Sequence, residues 1–443
     1  MEEIVIPALV AFGAILVLGF IGSCIFNRTQ IPSIVWLLLF GLVMGYIIRE
    51  YTIINIDFLY NFSGFFAAVA IVIILFDGGI NIDIHQLFKG APRGLLLTVS
   101  GFCLSLLATM LIIVGLTAIG VLPIEMKESV IVGILLGTIV GGTSSPIVIP
   151  LASRLKNLQD KTKMVLSIES ILTDPLCIVI FLAAVYMITS GNMNIGDGVK
   201  SLVSTFSVGA VAGSVLGIVW LPVMHYLRKE QFSYILTLAV VFLVYSLTES
   251  WWGGAGAISC LMFGLVLGNG KKILKMVNYS GRCYEMDNET KQFHSLTSFV
   301  IRTFFFVYLG IMVSFQKTEF IIVGILVLLT LLGLRFISVQ ISTFRGGFEK
   351  DDKHTMATMM PRGLAAAILA INFGPMLVGE NGLNLGTAME GFFQDAAFVV
   401  ILGTAIICTI GVSVISHYEN KKLQDTEEHK SNYDNIDETL NKK

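Results

Sequence analysis

Thirteen stretches of this chain are apolar for close to the length a helix needs to cross a lipid bilayer, and that pattern constrains the fold more than any other feature. They lie near 5–26, 31–48, 60–79, 94–121, 129–151, 164–189 and 201–224, then near 231–248, 254–269, 296–315, 319–341, 356–377 and 391–416. A hydrocarbon core about 30 Å thick takes roughly 20 residues of helix. No water is available there for a peptide group, so each stretch must satisfy its own backbone as helix. The fold class that follows is an all-α integral membrane protein of about 13 transmembrane helices. Charge agrees, since 14% of the 443 residues are charged and mean hydropathy is +0.82, against roughly a quarter charged in soluble domains. A net charge of −2 and the lack of a basic tract exclude a nucleic-acid partner.

The domain organisation is a transmembrane unit over 1–416 and a polar tail over 417–443, expected to be disordered and cytoplasmic. Met1-Glu2-Glu3 offers no basic n-region, so the first apolar run is expected to stay as an anchor. Of the cysteines, Cys24, Cys103, Cys177, Cys260 and Cys408 lie inside apolar runs and Cys283 in a loop, none in C-x-x-C spacing. They read as small apolar fillers rather than a disulfide framework or a zinc site.

Basic residues give the expected sidedness. One set of alternate loops carries 17 of them, including Arg154, Lys156, Lys161 and Lys163 between the fifth and sixth spans; the other carries Arg49, Lys127, Lys200 and Lys317. Positive loops stay in the cytoplasm. The N-terminus is therefore expected outside, the tail inside, and the protein in the cell membrane as a multi-pass chain.

Few ionisable residues remain within the spans: Glu169, Asp174, Arg302, Arg335 and Arg362, with Asp77 near the end of the third. A charge in hydrocarbon is costly, so each must face protein or water and each is a functional candidate. Asp174 lies ten residues into the sixth span, roughly 15 Å deep and so near the bilayer midplane. At about the same depth the fifth span carries Gly141-Gly142-Thr143-Ser144-Ser145-Pro146, which breaks helical regularity. Irregular backbone at that depth is tolerated where it lines a cavity, and its freed carbonyls can ligate a cation.

Helical phase divides the carboxylates. At about 100° per residue, Ser170, Thr173 and Asp174 share a face, whereas Glu169 lies roughly 140° from Asp174. One carboxylate with hydroxyls is an oxygen set suited to a hard cation, here Na⁺ or K⁺ at Asp174 with Ser170, Thr173, Thr143 and Ser144 around it. Glu169 needs its own partner, and Arg362 in Met360-Pro361-Arg362-Gly363 is the expected one, as a structural ion pair. The fifth and twelfth spans are the two with a Pro/Gly break, and their odd separation of seven spans gives them opposite topology. Paired interrupted segments point to a transporter's binding site. Inverted six-helix repeats, spans 1–6 and 8–13, with interrupted crossing helices are the expected architecture.

Four segments then resemble one family. Ile168-Glu169-Ser170-Ile171-Leu172-Thr173-Asp174-Pro175 resembles an E-S-x-x-N-D-P motif, and Met360-Pro361-Arg362-Gly363-Leu364 a G-P-R-G segment. Phe304-Phe305-Phe306-Val307-Tyr308-Leu309-Gly310 is similar to an F-F-F-V-x-L-G run, and Phe76-Asp77-Gly78-Gly79 to F-E-G-G-L. The motifs are those of the cation:proton antiporters, in their NhaP-like sodium/proton branch. The resemblance implies a homodimer whose protomers each have a dimerisation domain and a mobile core. It implies alternate binding of cation and proton by Asp174, with a Ser170 hydroxyl ligand, a Glu169–Arg362 pair, and Arg335 at the family's basic position in the eleventh span. Two departures stand out. Ser144 replaces the Asp of the family's T-D-P, and Thr173 replaces the Asn before the key Asp.

The function this implies is exchange of Na⁺ or Li⁺ for H⁺ by alternating access, electroneutral and one-for-one, with K⁺/H⁺ exchange as the alternative. The partners implied are those ions, the bilayer and a second copy of the chain; no cofactor and no enzymatic activity are expected. A cation channel is the rival from another class, but neither a T-V-G-Y-G filter nor an acidic ring is present in the sequence. An intramembrane aspartyl protease would need two deep Asp residues, and Asp174 alone is deep.

Overall fold

The computed structural model describes residues 2–415 except 30, 52–55, 156–157, 190–194, 228–232, 253–254, 277–287, 316, 374–388 and 390. The polar tail from 417 and Cys283 lie outside the described residues.

The described chain is helical. In order it runs through α1 (Glu2–Thr29), α2 (Ser33–Tyr51), α3 (Ile56–Asn81), α4 (Ile84–Ala118), α5 (Met126–Ile139), α6 (Ser145–Arg154), α7 (Asp160–Thr189) and α8 (Ile195–Leu227). It continues with α9 (Ser233–Trp251), α10 (Gly256–Gly268), α11 (Gly270–Met276), α12 (Asn288–Met312), α13 (Thr318–Thr343), α14 (Lys350–Thr358) and α15 (Leu364–Phe373). The last, α16, is Phe392–Ile415. Among the described residues nine helices are long and apolar enough to cross a membrane, and Phe12–Phe26 within α1 and Gly256–Gly268 are shorter apolar helices. The two other expected spans, the fifth and the twelfth, are the interrupted pairs α5/α6 and α14/α15.

Local chemistry explains both interruptions. After α5 the chain reads Val140-Gly141-Gly142-Thr143-Ser144; two adjacent glycines give up helix stability, and Pro146 suits the first turn of the next helix. After α14, Pro361 disfavours helical backbone at Met360, and the helix resumes only at Leu364. α7, by contrast, continues through Pro175. That proline has no N–H for the Ile171 carbonyl and crowds it, leaving a carbonyl without its helical donor one turn before Pro175.

Packing builds a core around these broken elements. α4 packs against α5, α7 and α13, while α10 packs against α3 and α8, and α2 against α12. Contact between α3 and α10 is close: a side chain at Gly264 would run into the Phe76 carbonyl, so glycine there lets the two backbones meet. That contact fixes α3 at the turn that bears Asp77. α15 is the most enclosed element, with Leu364 to Ile371 all buried, whereas large apolar side chains on α4, α8 and α13 (Leu111, Val211, Leu329) are exposed in the way lipid-facing residues are.

Candidate ion-binding site

Glu169, Ser170, Thr173 and Asp174 on α7 are all buried, as are Thr143, Ser144, Arg335 and Arg362. They divide into two functions, one structural and one facing a cavity.

The structural group holds the two breaks together. Ser144 donates its N–H to the Pro361 carbonyl at 2.8 Å, so the interruption of one span is hydrogen-bonded to the interruption of the other. Gly363 is needed at this junction, because a Cβ there would lie 2.8 Å from both Cβ and Oγ of Ser144. Arg362 Nη1 donates to the carbonyls of Gly141 and Gly142 at 2.9 and 2.8 Å, which belong to the non-helical break between α5 and α6. The N–H of Thr143 donates to Thr173 Oγ1 at 3.0 Å, and the Thr173 hydroxyl reaches back to the Thr143 carbonyl at 3.2 Å. Arg335 on α13 performs the same service for α14: Nε donates to the Met356 carbonyl at 2.9 Å and Nη2 to that of Met359 at 3.1 Å. Unsatisfied carbonyls in a membrane interior cost several kcal/mol each. A buried arginine at each break removes that cost.

The pairing of Glu169 differs from the sequence expectation. Arg335, not Arg362, forms its ion pair, with Nη1 on Oε1 and Nη2 on Oε2, the latter at 2.8 Å. The physical reason is donor geometry. Both terminal nitrogens of Arg335 meet the carboxylate while Nε and Nη2 also serve α14, whereas the guanidinium of Arg362 is aimed at the break after α5, where Nη1 meets two carbonyls and Nε is left unbonded. The family resemblance carried the Arg362 pairing too, and the geometry overrides it.

The cavity is the second feature, with a volume of about 470 Å³. Asp174 and Pro175 of α7 line it, with Asp77 and Asn81 of α3 and Ser298 and Arg302 of α12. Ser145 and Pro146 at the start of α6 and Leu364 at the start of α15 also line it, so two half-helices present their N-terminal ends. Those ends carry partial positive charge and favour an anionic carboxylate. Asn81 Nδ2 donates to Asp77 Oδ1 at 3.1 Å, and Arg302 Nε donates to the Ser298 carbonyl at 3.3 Å. Arg302 lines the same cavity as Asp77 and Asp174, so one guanidinium shares the space with both acids.

Of the residues that the sequence groups as a cation site, Asp174 is the one that lines this cavity. Thr143 and Thr173 are bonded to each other, Ser144 is packed at the junction, and the Ser170 hydroxyl donates to the Ser167 carbonyl at 3.2 Å. None of these four lines the cavity; Ser145, Ser298 and Asn81 do. The signal for two of them was available, since Asn81 and Ser298 stand four residues from Asp77 and Arg302, on the same helical face. Asp395 was missed as well. It lies buried near the start of α16 and accepts from the Ser314 N–H at 3.1 Å, beside the α12 C-terminus whose carbonyls Arg49 caps at 2.7–3.2 Å.

Two broken helices meeting at buried charges suit a protein that moves ions, and comparison with known proteins agrees. The sodium/hydrogen exchanger transmembrane family matches residues 13–417. The chain belongs to that family. Sodium/hydrogen exchangers are transporters rather than enzymes, and this one is a multi-pass membrane protein. It is 25% identical over 416 residues to Na(+)/H(+) antiporter 1 of Methanocaldococcus jannaschii, covering 91% of each chain. It is 27% identical over 285 residues to sodium/hydrogen exchanger 8 of Arabidopsis thaliana, a match that takes 59% of this chain and spans only 34% of the plant protein's length. In fold it matches the solved structure of the sodium proton antiporter MjNhaP1 from M. jannaschii at pH 8, with a TM-score of 0.74, 23% identity, and 95% and 98% of the two chains covered. The architecture is therefore that of the NhaP antiporters.

Proposed function

We propose that this exchanger carries Na⁺ or Li⁺ in one direction and H⁺ in the other by alternating access, with Asp174 as the carrier. The observation that supports it best is the position of Asp174, a buried carboxylate that lines a 470 Å³ cavity where two interrupted spans meet. A carboxylate takes either a proton or a monovalent cation, and either loading neutralises it for the crossing. Dehydrating Na⁺ must be offset by oxygen ligands. The cavity offers Asp174, Asp77, Ser145, Ser298 and Asn81 for this, in place of the hydroxyls and break carbonyls that the sequence pointed to. Thr143, Thr173, Ser144 and Arg362 hold the broken backbone in shape; Glu169 and Arg335 brace α7 against α13 and α14.

The orientation in this reading has the N-terminus outside and the tail in the cytoplasm, on the distribution of Lys and Arg between alternate loops. The assembly is a homodimer, on the resemblance alone. K⁺ is the alternative cation, favoured by Ser144 standing where the family carries an Asp. Purified protein in proteoliposomes, with proton flux followed while Na⁺, Li⁺ and K⁺ are offered in turn, tests the reading. Cation-dependent proton movement with Na⁺ or Li⁺ is expected; response to K⁺ alone would select the alternative, and response to none would discard both.

A further inference from the structure

Among the described residues the cavity holds two carboxylates, which by themselves would take two protons. It also holds one guanidinium. Asp77 on α3, Asp174 on α7 and Arg302 on α12 all line the same space, and Arg302 is partly buried within electrostatic reach of both acids. We propose that Arg302 is a resident cation of the transport site, cancelling one of its two negative charges and so setting the exchange at one proton per cation. This rests on the exchange reading above and deepens it.

The charge count makes the argument. With both acids deprotonated, Asp77, Asp174 and Arg302 sum to −1. One Na⁺ or one H⁺ brings the site to zero, so the loaded site crosses neutral in both directions. Without Arg302 the empty site is −2. It then takes two protons to reach zero, or one Na⁺ to reach −1, and the cycle moves net charge. The other charged groups nearby do not supply this balance. Arg362 is turned to the carbonyls of Gly141 and Gly142, and Arg335 is committed to Glu169 and to α14. On α12 the buried His294 stands edge-on to Phe76, ring centroids 4.9 Å apart, with both ring nitrogens unbonded; α6 and α15 bring no acid or base to the cavity lining. The Nε of Arg302 is tethered to its own helix through the Ser298 carbonyl, which positions the group beside the acids without bonding it permanently to either.

Four full-length proteins test this: wild type, Arg302→Gln, Arg302→Lys and the double variant Asp77→Asn/Arg302→Gln. Each is reconstituted with equal Na⁺ and equal pH on both sides, and a membrane potential is imposed with a thiocyanate gradient while internal pH is followed. Wild type and Arg302→Lys should show no voltage-driven proton movement, Arg302→Gln should show it, and the double variant, again −1, should lose it. Sodium binding is read separately from the Na⁺-induced rise in melting temperature at alkaline pH. Arg302→Gln should bind roughly tenfold tighter or more, since a like charge has left the site, and the double variant should lose that gain. The proposal is overturned if wild-type exchange is itself voltage-driven, if Arg302→Gln stays electroneutral or binds Na⁺ no tighter, or if the double variant behaves as Arg302→Gln does. Failure of the exchange reading looks different: wild type then moves no protons with any alkali cation, whatever the order of binding affinities.

Discussion

Arg335 grips Glu169 across the core, joining α13 to α7 by a two-pronged ion pair while its other donors close the C-terminal end of α14. Removing one partner of a buried pair leaves an uncompensated charge and costs about 3–5 kcal/mol. Glu169→Ala and Arg335→Ala should therefore each lower the melting temperature of the purified protein, Arg335→Ala more because two carbonyls also lose their donor. The double variant should lose less than the sum of the two. Additivity within about 0.5 kcal/mol would show that the residues do not act as a pair.

That pair marks the boundary of what the sequence reveals. Span positions, the two breaks and the depth of Asp174 all follow from apolar length, Pro and Gly placement and helical phase, which are local properties. The partner of Glu169 depends on which arginine the fold carries to its carboxylate. Arg362 and Arg335 are close in character along the chain, and only the fold shows that each closes a different broken helix. The same holds for Arg49 at the end of α12 and Arg93, which donates to the Ser342 carbonyl at 3.0 Å at the end of α13. Read from sequence, an arginine within or beside a span asks for a carboxylate; in this fold Arg49, Arg93, Arg335 and Arg362 all donate to carbonyls.

Asp174→Asn should abolish cation-dependent proton flux and leave a folded protein. The amide preserves volume but holds neither a charge nor an exchangeable proton. Melting temperature near wild type with no flux is the expected pair of results; substantial remaining flux would remove Asp174 from the carrier role.

Gly363→Ala tests the junction of the breaks. Its methyl group would sit 2.8 Å from Ser144 Cβ and Oγ, an overpacking that costs about 1–3 kcal/mol. A lower melting temperature is expected, with partial recovery in Gly363→Ala/Ser144→Gly, where the opposing side chain is gone. Recovery without any initial loss, or loss without recovery, would mean that the two residues are not in tight contact.

Competition sets the pH dependence. If the proposed site carries a net charge of −1, proton and cation exclude each other there, and raising the pH by one unit removes tenfold of the competitor. Apparent cation affinity should rise up to tenfold per unit and then level once the proton has left. Half-saturating Na⁺ measured across a pH series in proteoliposomes checks this; an affinity that does not change over the series would mean that the two ions bind independently.

Ser144→Asp alters the field of the site most directly. The residue immediately precedes the N-terminal end of α6, where the helix dipole favours an anion, and its neighbour Ser145 lines the cavity. A site with net charge −1 has a weaker field than one with an additional acid, and a weak field offsets less of the dehydration cost of a small ion. Wild type should therefore tolerate K⁺ better than relatives that carry Asp here. Adding the carboxylate takes the count of Asp77, Asp174, Arg302 and the new group to −2. Sodium and lithium should gain on potassium, and the pH dependence of uptake should move alkaline, because an added negative charge favours the proton over the empty site. Exchange should also become sensitive to an imposed membrane potential, as is expected when Arg302 is neutralised. Half-saturating Na⁺, Li⁺ and K⁺ in the variant and in wild type, measured with and without voltage, give all three readings from one preparation. A variant that exchanges with unchanged cation order and stays electroneutral would place position 144 outside the electrostatic reach of the bound ion, and the Ser that stands there could then have no part in selecting it.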